Sequence, residues 1–400
     1  MRILTFTTLY PSAAQPQHGI FVETRLNKLV ESGVICARVV APCPWFPFTS
    51  ARFGRYATFA QIPPTETRQG LRVDHPRYPS LPKIGMSAAP LVLAAATLPF
   101  LRRQIREGQD FGLIDAHYFY PDGVAAVLLG RALHRPVVVT ARGSDLNIIA
   151  QYKIPRRWIG WAAEHANGLI GVSSGLKQRL VHLGIAPERV CVLRNGVNLA
   201  QFQPRDREAA RQALDFSAPT LLAVGNLVPL KRHSLMIEAL TRLPGVQLVI
   251  VGEGPERRAI ERLARERCVA DRVRLLGRLP QDRLPEIYSA ADLLLLVSSH
   301  EGWPNVLLES MACGTPAVVS GIEGIADIVA APEAGRILTE PAPACLADTV
   351  RDFFAVPPPR AATRRYAEQF DWQNTTEGQI ALFREILKRS SKQAAVECSA

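Results

Sequence analysis

Two glutamates, Glu301 and Glu309, stand with seven residues between them in "HEGWPNVLLESMACGTP", residues 300–316. Glu309 sits among Val306, Leu307, Leu308, Met311, Ala312 and Cys313, so its helix has almost no polar face. A helix apolar all round is buried. A buried carboxylate costs several kcal/mol unless something binds it, so Glu309 requires a partner from the chain or from a ligand. Pro304 falls near the start of this helix, where a missing N–H does no harm. The amides of Asn305, Val306 and Leu307 then point out of the helix tip, a ready anion site. One element thus offers two hydroxyl-accepting acids and a phosphate cradle, which match the sugar and diphosphate of a sugar nucleotide.

A second group with this chemistry is "VGNLVPLKRH", residues 224–233. A strand ends at Gly225, and a helix is expected to begin near Leu230, which puts Lys231 and Arg232 in its first turn. Cations there oppose the helix dipole, and a bound diphosphate relieves the conflict. In "VVTARGSDLN", residues 138–147, Arg142, Gly143 and Asp145 follow a buried strand. They line a cleft at the strand's carboxyl end, or Arg142 and Asp145 form an ion pair that shapes the loop. His117, after "LIDA", is either a satisfied core histidine or a cleft residue. Gly19 opens a helix after a long loop and would let a phosphate approach the backbone.

These groups need elements to hold them. Strand-like runs at 2–8, 37–41, 113–117, 136–141, 168–172 and 189–193 alternate with helical patterns such as 20–31 and 122–133. The theme repeats with strands at 220–225, 246–252, 273–277, 292–298 and 316–320, and helices at 231–242, 256–266 and 305–313. Short apolar strands alternating with helices imply parallel sheets covered on both faces. Two such series imply an α/β chain of two doubly wound, Rossmann-like domains, with ligands in a cleft at the strands' carboxyl ends. The boundary falls in the polar stretch 194–204, which gives domains 1–198 and 199–374, a last helix at about 375–390 and a tail, 391–400.

Of the 400 residues, 48% are hydrophobic and 21% charged, the composition of a globular protein with a real core. Residues 1–198 hold 23 Lys+Arg against 11 Asp+Glu, while 199–400 hold 24 against 25. The basic half points to an anionic partner. Residues 84–101 are nearly uncharged and end in Arg102, Arg103 and Arg106. They read as a buried helix or as one lying on an anionic membrane face. Seven scattered cysteines with no C-x-x-C suit a reducing, cytoplasmic compartment, with possible attachment to the inner face of the membrane. No D-x-D, P-loop, H-E-x-x-H or G-x-S-x-G occurs. The arginines lack interleaved aromatics, which argues against single-stranded nucleic acid.

The chain resembles the family 4 retaining glycosyltransferases of GT-B architecture. The resemblance rests on "HGIFV", "TARGSD", "VSSGLKQRL", "RNGVNLAQFQP", "VGNLVPLK", "VGEGPERRAIERLA", "LLGRLP", "YSAADLLLLVSSHEGWPNVLLESMACGTPAVVS" and "GIEGI". It implies a donor nucleotide sugar, UDP- or GDP-linked, on the second domain, a glycan or polyprenyl-diphosphate-linked acceptor on the first, and a last helix crossing back to the first. It implies no cofactor and no metal. Glu301 would contact the donor sugar's hydroxyls, Glu309 the ribose, and Lys231 the diphosphate together with the Asn305 and Val306 amides. Arg278 and Leu279 would pass the base. Gly225, Asn226, Arg232, Gly302, Trp303 and Pro304 complete the donor side. Gly19, His117 and Asp145 fall on the acceptor side, with Arg142 among the catalytic set. Asn226 stands where the family commonly has arginine, and Arg142 where it often has histidine; a guanidinium binds phosphate rather than accepting a proton. The implied activity is transfer with retained anomeric configuration, in cell-surface polysaccharide or glycolipid synthesis. A sugar-nucleotide epimerase on the same fold is the alternative.

Overall fold

The computed structural model describes residues 1–80 and 86–397. The chain divides into two compact units. One is Met1–Asn195 together with the chain from Gln373 on, and the other is Gly196–Trp372.

The first unit is built on an eight-stranded sheet. Its spatial order is Val190–Val192, Gly168–Gly171, Val137–Ala141, Leu113–His117, Arg2–Phe6, Cys36–Val40, Leu71–Asp74 and Thr65–Arg68. All neighbours are parallel except the last pair, an antiparallel hairpin. Leu113–His117 and Val137–Ala141 are buried at every residue, as a parallel strand covered on both faces must be. Helix Ile20–Glu31 places Val22, Leu26 and Leu29 on one stripe. These join Ile3, Val39, Val73, Leu113, Val138 and Ile170 in the core. The final helix, Gln373–Glu397, adds Ile380, Phe383 and Ile386 to that same core.

The second unit holds six parallel strands in the order Val273–Gly277, Gln247–Val251, Thr220–Val224, Leu293–Leu296, Ala317–Ser320 and Gly335–Leu338. Chain order reverses between Thr220–Val224 and Leu293–Leu296. In the first unit it reverses between Arg2–Phe6 and Leu113–His117. A crevice opens at such a switch point beyond the carboxyl ends of the strands.

Several expectations change. The hairpin Thr65–Arg68/Leu71–Asp74 and the edge strand Gly335–Leu338 were not foreseen, because edge strands carry polar residues and lack a continuous apolar run. The helix expected from Leu230 starts at His233; Pro229–Lys231 forms a separate 3-10 turn. The segment 84–101 begins partly outside the described residues, and its helix runs from Ala89 to Arg106. It buries one face, Pro90, Leu93, Ala94, Thr97, Leu101 and Gln104, and exposes the other, so it is not a fully buried helix. No helix among the described residues is long and apolar enough to cross a membrane.

Candidate functional site

At the second unit's switch point, strand Thr220–Val224 runs into Gly225, whose φ of 153° is open to glycine. The neighbouring loop packs backbone against backbone. A Cβ at Gly252, itself at φ 152°, would collide with the Gly225 carbonyl. The Gly225 amide donates to the Val251 carbonyl at 2.9 Å, and the Leu227 amide to the Glu253 carbonyl at 2.9 Å. The loop then turns through Pro229–Lys231 and passes Arg232, left-handed at φ 51° and ψ 43°, into helix His233–Leu240. Lys231 therefore precedes the helix rather than standing in its first turn. Its Nζ donates to Glu301 Oε1 at 2.6 Å, and the two side chains are only 17% and 14% exposed. The Ser299 amide donates to the Leu230 carbonyl at 2.8 Å, which bolts the two loops together beside the pair. His233 is buried next to Lys231; burial, then the Lys231 charge, brings its pKa down to about 4.

The helix Asn305–Ala312 follows, with extended Pro304 as its cap residue. The Leu307 amide donates to the Pro304 carbonyl at 3.0 Å, which removes Leu307 from the expected anion cradle. Glu309 is buried, and its partner comes from the chain: Tyr288 Oη donates to Oε2 at 2.9 Å, and Gln281 donates as well. Burial raises the Glu309 pKa to about 7 against the opposing pull of these two bonds. Burial, then Glu309, pushes the Tyr288 phenol above its ordinary value. Gln281 lies two residues beyond Leu279, so the loop carrying Arg278 and Leu279 ends on Glu309. Arg278 and Asn226 are exposed, while Arg232, Gly302, Asn305 and Val306 are half-buried. Trp303 is buried, its ring 6.4 Å from that of Phe370. Tyr288 and Gln281 were missed in the sequence, since no pattern shows which side chain will face a carboxylate.

The first unit's switch point is a buried polar network. Arg142 is 8% exposed; its Nη2 lies 2.7 Å from His117 Nδ1, and its Nη1 donates to Asn195 Oδ1 at 3.1 Å. His117 Nε2 lies 3.2 Å from Asp115 Oδ2. With both ring nitrogens engaged and 1% exposure, His117 is a satisfied buried histidine rather than a cleft residue. Burial is the main cause of its pKa falling to about 4. Asp145 does not bond the Arg142 side chain. It accepts the amides of Gly143 at 2.7 Å, Phe119 at 2.8 Å and Arg142 at 3.1 Å, and so folds the loop by itself. Gly19, at φ 71°, is required by the protein's own backbone: a Cβ would strike the Leu9 carbonyl, so residues 9 and 10 make a close approach there.

Four members of this network, Asp115, Asn195, Arg25 and Gln379, also went unseen. Arg25 donates to Gln379 Oε1 at 2.6 Å and to the Leu193 carbonyl at 3.0 Å, and Gln379 donates to Asp115 at 3.1 Å. The signal was present: Arg25 stands beside Leu26 in the apolar stripe of its helix, just as Glu309 does in its own. Asp122, which accepts from Thr7 Oγ1 at 3.0 Å and the Thr8 amide at 2.6 Å, has its pKa raised to about 7 by burial.

The family described as "Glycosyl transferases group 1" matches residues 205–370, and "Glycosyltransferase Family 4" matches 51–201. A D-inositol 3-phosphate glycosyltransferase of Acidothermus cellulolyticus is 31% identical over 362 residues, 83% of this chain and 80% of that protein. The chain belongs to the group 1/family 4 glycosyltransferases. Solved structures agree on the GT-B fold of this glycosyltransferase. Sucrose-phosphate synthase from Thermosynechococcus elongatus superposes with a TM-score of 0.77 at 20% identity, covering 97% of this chain and 99% of that one. Anabaena Alr3699/HepE in complex with UDP-glucose gives 0.71 at 17% identity, covering 98% and 99%. In the glycosyltransferase described here, the second unit's switch point brings together Gly225, Lys231 and Glu301, and separately ties Glu309 to the loop after Leu279. The first unit joins Arg142 to His117, leaving Asp145 and Gly19 as builders of their own loops.

Proposed function

We propose that the enzyme transfers a sugar from a nucleoside-diphosphate sugar held on the second unit, with retention at the anomeric carbon and without a metal. The observation that carries this reading is the Lys231–Glu301 pair, an ammonium and a carboxylate fixed 2.6 Å apart at the switch point. An ammonium placed there neutralises charge building on a departing diphosphate, a preorganised term worth several kcal/mol. A carboxylate beside it accepts hydroxyls of the sugar being moved. The complex of Anabaena Alr3699/HepE with UDP-glucose supports a donor of this class. Among the described residues no side chain is placed as an obvious nucleophile, so the acceptor attacks on the face the diphosphate leaves. The test is a panel of UDP-, GDP- and ADP-sugars, read by thermal shift and by the anomeric configuration of the product. At least one donor raises the melting temperature and yields product of retained configuration. An inverted product, or donor consumed without acceptor as by an epimerase, overturns the reading.

The acceptor carries phosphate, as a polyprenyl-diphosphate-linked sugar would, and is met at an anionic membrane face. Residues 32–106 hold ten Lys+Arg and only two acids, Glu66 and Asp74. Both acids are already paired, with His75 and with Arg38 and Arg72. Phe48, 53% exposed, belongs to an aromatic cluster with Phe46, Phe53 and Tyr56, and Trp45, next to Phe46 in the chain, is 60% exposed. Exposed aromatics with a cation beside them, Arg52 lying 4.7 Å over the Phe53 ring, suit a headgroup layer. The wild type therefore floats with vesicles containing phosphatidylglycerol at low salt, and a Trp45→Ser/Phe48→Ser variant floats several-fold less; equal flotation of the two excludes this surface.

A further inference from the structure

The second unit carries a further cavity, at the end of its sheet opposite Lys231 and Glu301. Gly225 and Ser299 follow the carboxyl ends of their strands. Pro219, Asp292 and Pro316 instead stand one residue before the strands Thr220–Val224, Leu293–Leu296 and Ala317–Ser320, and they line a cavity of about 590 Å³. That is the size of a small-molecule site, and apolar walls with a few polar groups are its usual lining. Phe353, Phe354 and the prolines at 357–359 supply the wall. Proline fixes its own φ, so this part of the wall is formed before anything binds. Arg207 and Arg360 supply the charge.

The cations here outnumber what the protein sets against them. Asp292 accepts from Arg207, from Arg211 Nη1 at 3.2 Å and from the Thr220 amide at 2.8 Å. Arg360 donates to the carbonyls of Ala291 at 3.0 Å and Ser289 at 2.8 Å, and to Thr315 Oγ1 at 2.6 Å. Carbonyls at a helix end satisfy donors but carry only partial charge. Three guanidiniums therefore meet one carboxylate, an excess of two positive charges. Arg360 responds to it: burial, then the Arg207 charge, brings its pKa down to about 10. Arg207 is half-buried, and its Nε is buried without a hydrogen-bond partner among the described residues.

We propose that this cavity is a second binding site, for a dianionic phosphate carried on a small apolar body, filled independently of the sugar-nucleotide site. The phosphate meets Arg207 and offsets the excess charge, while the body lies on the phenylalanine and proline wall. A dianion matches an excess of two where a carboxylate covers half of it. The strands separate this cavity from the Lys231–Glu301 pair by roughly 15 Å, the length of five extended residues, so the two occupants do not touch.

The test is calorimetry of the full chain with phenyl phosphate at pH 8, where a phosphate ester is doubly charged, beside inorganic phosphate and benzoate. Phenyl phosphate is expected to bind wild type more tightly than inorganic phosphate, which lacks the body, and than benzoate, which lacks the second charge. Arg207→Gln is expected to weaken it about ten- to a hundredfold, the range for a hydrogen bond to a charged group. Asp292 keeps Arg211 and the Thr220 amide in that variant, and a thermal melt checks its fold. A loop variant, Pro358→Asp, sets a carboxylate in the wall and is expected to lose the binding to a similar degree, which keeps the test open if Arg207→Gln does not fold. Lys231→Ala is expected to bind phenyl phosphate as wild type does. No binding of phenyl phosphate to wild type, or binding untouched by Arg207→Gln and Pro358→Asp, overturns the proposal. Binding lost in Lys231→Ala would place the phosphate at the donor site and overturns it too. Equal affinity for benzoate overturns the assignment to phosphate.

Discussion

The two switch points are built from similar side chains and differ in how they are closed. In the first unit Arg142, His117, Asp115, Gln379, Arg25 and Asn195 bond one another in a network whose members are nearly all sealed from water. In the second, Lys231 and Glu301 bond each other while keeping part of their surface open. A closed network sets shape, because taking one member leaves buried partners unmet. A part-buried pair with some surface still exposed can exchange a partner with a ligand. The comparison separates a scaffold from a working contact among residues that look alike on paper.

Exchanging the roles is the strongest way to break it. Lys231→Ala is expected to lower the chemical step by about 10²- to 10³-fold with little change in melting temperature. Arg142→Ala strands His117 Nδ1 and is expected to cost about 2 kcal/mol of stability while nucleoside-diphosphate binding to the second unit persists. Turnover assays and thermal melts on both variants decide this. Melting unchanged in Arg142→Ala would make the first unit's network as exchangeable as the second's.

A smaller effect sharpens the contrast inside the second unit, between Glu301 and the enclosed Glu309. With a folded pKa of about 7 against an ordinary value of 4.5, Glu309 holds between these pH values a proton that the unfolded chain has lost. Stability therefore falls as pH rises from about 4.5 to about 7 and levels off above, a span of a few kcal/mol for this one group. Glu309→Gln keeps an acceptor for Tyr288 and removes the titration. Its advantage over wild type in thermal melts grows from pH 5 to pH 8; an advantage independent of pH would mean that Glu309 is ionised in the fold throughout.

Much of this was readable before any coordinates. Central strands announce themselves because both faces are covered, so Leu293–Leu296 is an uninterrupted apolar run. Glu309 was flagged because a charge in an apolar helix demands a partner. The same rule, applied to Arg25, would have found the first network. What stayed hidden depends on distance in space. Nothing in the sequence near Gly19 says that the Leu9 backbone crosses it, or near Glu309 that Tyr288 faces it. The start of the Lys231 helix was misplaced because Pro229 permits either a helix start or a 3-10 turn, and only left-handed Arg232 decides between them.

The last helix closes a core begun by the first strand. Ile380, Phe383 and Ile386 fill the same interior as Ile3 and Val39, and Gln379 bridges Arg25 to Asp115. During synthesis, Gly196–Trp372 is a contiguous stretch that finishes its fold while the earlier half still waits, its greasy seam open, for residues some 180 positions downstream of Asn195. The order in which the ribosome emits the halves is thus the reverse of the order in which they become whole.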